Sequence, residues 1–167
     1  IITSGAGGGS TGESKFSNTI SLLISTVDVF MSRIKKSQMI QDVYDNADTV
    51  KKQIAYFSLA WDVENCIPGF IQNLAKENIT QAVIDAHKIP KEWAEHSLEF
   101  ETQITDLLKT NTNYNSIAKP TPEEREIARR VGTNLTSLSK QQVDCLIKQA
   151  ECLTELQVKL YCPSLIS

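Results

Sequence analysis

Residues 139–163 read Ser-Lys-Gln-Gln-Val-Asp-Cys-Leu-Ile-Lys-Gln-Ala-Glu-Cys-Leu-Thr-Glu-Leu-Gln-Val-Lys-Leu-Tyr-Cys-Pro. Val143, Leu146, Ile147, Ala150, Leu153, Leu156 and Leu160 recur here at steps of three and four, which places them on one side of an α-helix. Ser137 or Ser139 suits the N-cap, and Pro163 cannot continue the helix. A helix of this length needs partners along its apolar side, so the rest of the chain is read for other helices.

They follow in both directions. Thr121-Pro-Glu-Glu-Arg125 is a helix start, with an N-cap Thr, Pro in the first position and acids in the first turn. That helix carries Ile127, Ala128 and Val131 and stops at Gly132. The Asn-, Thr- and Pro-rich stretch 110–121 is the longest loop. Before it, Pro90 opens a helix whose apolar stripe is Trp93, Phe100, Ile104, Leu107 and Leu108. Residues 70–88 form another, which Asn78 to Thr80 divide in two. Phe16, Ile20, Leu23, Ile24, Val27, Phe30, Met31 and Ile34 mark a first helix. Ile40, Val43, Tyr44, Ala47, Val50, Ile54, Phe57 and Trp61 mark a heptad-like second one, which Cys66-Ile-Pro-Gly69 ends or kinks.

No segment alternates as a strand does. The pattern predicts an all-α fold without a sheet: an antiparallel bundle of about five or six helices spanning residues 14–167. Residues 1–13 hold five of the seven glycines and almost nothing to bury, and read as a flexible Gly/Ser-rich arm. Of the remaining glycines, Gly69 and Gly132 sit where a helix is expected to stop or turn.

A length of 167 residues suits one such domain. The net charge of −3, with basic residues interleaved among acids, speaks against a nucleic-acid partner. No apolar run reaches the ~20 residues that span a bilayer, so the chain is not expected to be transmembrane.

The glycine arm imitates three motifs. Gly7-x-Gly9-x-x-Gly12 matches a dinucleotide fingerprint, Gly8-x-Ser10-x-Gly12 a nucleophile elbow, and 7–14 a phosphate loop with Glu13 in the lysine position. Each needs a preceding strand and a βα setting that a helical chain does not supply. Glu92, His96 and Glu99 share a helical face, but the Glu-x-x-His step of di-iron bundles does not occur. No catalytic, cofactor-binding or metal-binding residues are therefore assigned, and no enzyme is expected.

Four cysteines without metal-ligand spacing, Cys66, Cys145, Cys152 and Cys162, suggest disulfides in a secreted chain. Cys145 and Cys152 lie roughly 10 Å apart on one helix, beyond the ~7 Å that a disulfide tolerates. Cys66 is therefore expected to bridge to Cys145 or Cys152. Cys66–Cys145 with Cys152–Cys162 is the easier double pairing if the last helix ends early. A helix continuous to Tyr161 leaves two thiols free or paired between chains. The sequons Asn78-Ile-Thr80 and Asn134-Leu-Thr136 are candidate glycosylation sites in keeping with an extracellular location.

Phe57, Trp61, Phe70, Trp93 and Phe100 are expected to form an apolar core or line a ligand pocket, with Trp61 buried. The function read from this pattern is a non-catalytic secreted helical protein that binds a protein partner or an apolar small ligand. The alternative is a structural component of an extracellular homo-oligomeric assembly, disulfide-linked between chains.

Overall fold

The computed structural model describes residues 2–5, 55–131 and 137–166. The first helix expected from Phe16 to Ile34, the start of the second to residue 54, the glycine motifs, Gly132 and Asn134 lie outside the described residues.

The described residues are mostly helical, with six α-helices. In chain order they are α1 (Cys66–Ala75), α2 (Gln81–His87), α3 (Lys91–Glu95), α4 (Glu101–Asn111), α5 (Pro122–Arg130) and α6 (Lys140–Tyr161). Both helix starts expected from capping chemistry form capping boxes. Thr121 and Glu124 close one at α5, and Ser139 and Gln142 close the other at α6.

Among the described residues the sheet-free expectation fails at one place. Strand β1 (Ile2–Gly5) pairs in parallel with β2 (Ala55–Ser58), Ile2 opposite Ala55 and Gly5 opposite Ser58. Residues 2–5 of the glycine-rich arm are thus paired strand. Residues 55–58, read as the end of a helix, alternate instead, with Ala55 and Phe57 buried and Tyr56 and Ser58 half-buried. A short apolar run of aromatic residues fits either period, and the partner strand decides between them.

Cys66-Ile-Pro-Gly69 starts α1 rather than ending a helix. Pro68 is its third residue, where a backbone N–H has no intrahelical partner to lose. Gly69 sits inside α1 with open space around it, while the helix stops are made by other residues. Glu77 after α1, Lys88 after α2 and Asn113 after α4 take the left-handed conformation, with φ of 58°, 57° and 51°.

The core gathers Phe57, Val63, Ile67, Phe70, Ile71, Leu74, Val83, Ile104, Leu108, Leu153, Leu156 and Leu160. On α6 the buried side runs through Cys145, Gln149, Cys152, Leu153, Leu156, Gln157 and Leu160. Val143 and Ile147, expected to face inward, are 38% and 50% exposed. The inward side is rotated because two glutamines and two thiols take core positions that hydropathy assigns elsewhere.

Phe70 joins three helices, edge-on to His87 of α2 at 5.7 Å and to Tyr161 of α6 at 5.2 Å. Strand β2 lies along α6 in the opposite direction. The Cys162 thiol meets the backbone of Ala55, and the Gln149 amide donates to the carbonyls of Leu59 and Trp61.

Candidate interaction surface

The turn that follows β2 brings the aromatic and charged residues of one surface together. The Trp61 N–H donates to the Ser58 carbonyl at 2.9 Å, which closes the turn. The Trp61 carbonyl accepts from Gln149 Nε2 at 2.8 Å, and the Leu59 carbonyl accepts from the same atom at 3.1 Å. Gln149 is only 1% exposed, so this clamp sits in the interior where water does not compete. Fixing the backbone at two carbonyls leaves the Trp61 ring projecting outward, 40% exposed. It meets Tyr56 edge-on at 5.6 Å.

Asp62 and Glu64 then face α5. Arg125 Nη1 lies 3.2 Å from Asp62 Oδ1 and 2.6 Å from Glu64 Oε2, and Arg129 Nη2 lies 2.6 Å from Asp62 Oδ1. Arg125 and Arg129 are one helical turn apart, so one face of α5 presents both guanidinia to this acidic turn. Farther along, Lys148 donates to Glu124 at 2.6 Å, and this hydrogen bond holds the Glu124 carboxyl below its usual range. Arg125 and Arg129 are 16% and 31% exposed, and their pairs with Asp62 and Glu64 tie α5 to the turn after β2.

Of the five aromatics expected to act together, Phe57 and Phe70 are buried in the core. Trp93 and Phe100 stack on each other at 5.9 Å and pack against it. Trp61 stands apart, which corrects the expectation that it is buried. The helical face it was placed on does not reach it, since residues 55–58 are strand. A cleft of about 460 Å³ between α5 and α6 is lined by Glu124, Lys140, Gln141, Asp144, Cys145 and Lys148, and by none of these aromatics.

The expected disulfides are also corrected: all four cysteines are free thiols, and all are buried. α6 is continuous to Tyr161, which holds Cys145 and Cys152 about two turns apart with Cys162 at the helix end, and Cys66 donates to the Asp62 carbonyl at 3.7 Å instead. Burial pushes the Cys66 thiol up to about 11, against a hydrogen bond with Gln157 that acts the other way. Burial also raises Cys152 and Cys162. Thiols so held are poor nucleophiles at neutral pH.

Asn78 is half-buried in the turn between α1 and α2, and its N–H donates to the Asn73 carbonyl at 2.9 Å. Glu92, His96 and Glu99 do not converge. His96 Nδ1 is 3.9 Å from Glu99, and no group of three metal-ligating side chains occurs among the described residues. Nor is any helix among them long and apolar enough to cross a membrane.

The sequence reading missed Tyr56, Asp62, Arg125, Arg129 and Gln149. The i,i+4 spacing of Arg125 and Arg129 was a signal, but nothing local says that it faces Asp62. No protein-family model matches the chain, and no curated protein or solved structure is significantly similar to it.

Proposed function

We propose that this chain is a non-catalytic helical protein that binds a protein partner through the surface centred on Trp61. The carrying observation is the projecting Trp61 ring on a backbone clamped by Gln149, edge-on to Tyr56 and next in sequence to Asp62, which holds Arg125 and Arg129. Trp, Tyr and Arg are the residue types that dominate binding energy at protein interfaces. A ring held rigid before contact loses little entropy on binding. A protein partner is favoured over an apolar small ligand because Phe57 and Phe70 are consumed by the core.

The antiparallel bundle belongs to the same reading. Glu124 at the start of α5 meets Lys148 in the middle of α6, as it does when two successive helices run antiparallel. An extracellular location enters this reading through the Asn78 and Asn134 sequons. Expression through a secretory host, followed by glycosidase treatment, tests it: a mass shift abolished by Asn78→Gln or Asn134→Gln supports it, and no shift at either sequon removes it.

The binding reading is tested by affinity capture with the full chain and with Trp61→Ala, followed by titration of each captured protein in purified form. A partner whose Kd weakens by at least about tenfold in Trp61→Ala, at unchanged helical content, supports the reading. Partners bound equally by both chains would overturn it.

A further inference from the structure

Helix α6 carries a second apolar stripe that its buried side does not use. Val143, Ile147, Ala150 and Thr154 follow one another at steps of four, three and four. At 100° per residue they centre about 130° around the helix from Gln149, which clamps the turn bearing Trp61. Val143 and Ile147 are 38% and 50% exposed, and Leu138, just before the N-cap, is 39% exposed. Single exposed apolar side chains are ordinary, but three of them within ten residues make a patch.

Charges line one flank of the stripe and leave the other bare. Lys140 and Glu151 lie roughly 50–70° to one side of it, with Asp144 about 90° away on the same flank. All three are exposed, and none is ion-paired among the described residues. The opposite flank carries Ser139, Gln142 and Leu146, which have no charge.

We propose that this stripe is the interface between two copies of the chain, packed antiparallel about a two-fold axis near Cys145 and Leu146. A two-fold axis perpendicular to the helices reverses one against the other and keeps each flank on its own side, so the charged flank meets the charged flank. The midpoint of Val143 and Ile147 is residue 145, and that of Lys140 and Glu151 lies half a residue beyond, about 0.8 Å along the helix. One axis therefore sets Val143 of each copy against Ile147 of the other, and Lys140 of each against Glu151 of the other. The charge pattern is thus complementary to itself, and only in this orientation. A parallel pair would set the charged flank against Ser139, Gln142 and Leu146 and leave Lys140 and Glu151 unmatched. A contact made by one helix face is at the small end of protein interfaces, which gives a weak dimer with a Kd on the order of 10–100 µM.

Sedimentation velocity of the full chain from about 10 µM to about 1 mM should show monomer passing into dimer. Val143→Glu/Ile147→Glu should raise the dimer Kd at least about tenfold at unchanged helical content. Charge reversal tests the register. Lys140→Glu and Glu151→Lys should each weaken the dimer alone, because each sets like charges together. An equimolar mixture of these two variants should restore it, since they present opposite charges to each other. Trp61→Ala should leave the dimer intact, which separates this surface from the one that binds a protein partner. A full chain that stays monomeric through this range would overturn the proposal, whatever else covers the stripe. So would a dimer untouched by Val143→Glu/Ile147→Glu, or a mixture no stronger than either charge variant alone.

Discussion

Nε2 of His87 lies 2.8 Å from the carbonyl oxygen of Leu160, joining the end of α2 to the last turn of α6 in the interior. A carbonyl only accepts, so Nε2 carries a proton in this contact. Asn111 secures the same corner by donating to the His87 carbonyl at 2.8 Å. Burial lowers the His87 pKa, against the raising effect of the Leu160 hydrogen bond.

That shift makes stability depend on pH. Below about 6.5 the unfolded chain takes up a proton on His87 that the folded chain resists. Stability is therefore complete above 6.5 and falls as the pH drops toward the folded-state pKa, by at most about 1.4 kcal/mol per pH unit from this group. Urea unfolding at pH 7 and pH 5 should show the midpoint falling, and His87→Gln should flatten that difference. An equal fall in the variant would assign the effect to other groups.

Gly69 lies in the interior of α1, and a Cβ added there meets nothing within 4 Å. Gly69→Ala should raise stability by about 0.5–1 kcal/mol through helix propensity and lower backbone entropy in the unfolded chain. Thermal melts would read this as a small rise in Tm. A fall would mean that the position is covered by something outside the described residues.

Phe70 and Trp61 should separate core from surface. Phe70 is fully buried against His87 and Tyr161, and Phe70→Ala should cost about 3–5 kcal/mol. Trp61→Ala removes a ring already 40% exposed and should cost about 1–2 kcal/mol. Denaturant midpoints of both variants, compared at equal m-value, check the order; similar losses would place Trp61 in the core.

The thiols offer a direct chemical measurement. With Cys66, Cys145, Cys152 and Cys162 buried and unbridged, native protein at pH 7 should resist iodoacetamide, and denatured protein should take up four labels without reductant. Fewer than four labels in denaturant would reveal a bridge.

Much of the helical layout was legible because it rests on local chemistry. Thr121 with Glu124, Ser139 with Gln142, the break at Asn78 to Thr80 and the stop at Pro163 all act within a few residues, and each holds in the structure. What tertiary structure decided lies where local signals were balanced or silent. Ala55 to Ser58 became strand because residues 2–5, fifty positions earlier, offered a ladder. The inward side of α6 turned toward Gln149 because its amide satisfies two carbonyls of a distant turn, a gain that hydropathy does not register. Trp61 was left outside by that same turn, and Arg125 and Arg129 found Asp62 more than sixty residues away. Periodicity and capping are short-range properties of a chain, whereas strand pairing, buried amide bonds and ion-pair partners are fixed only when distant segments meet.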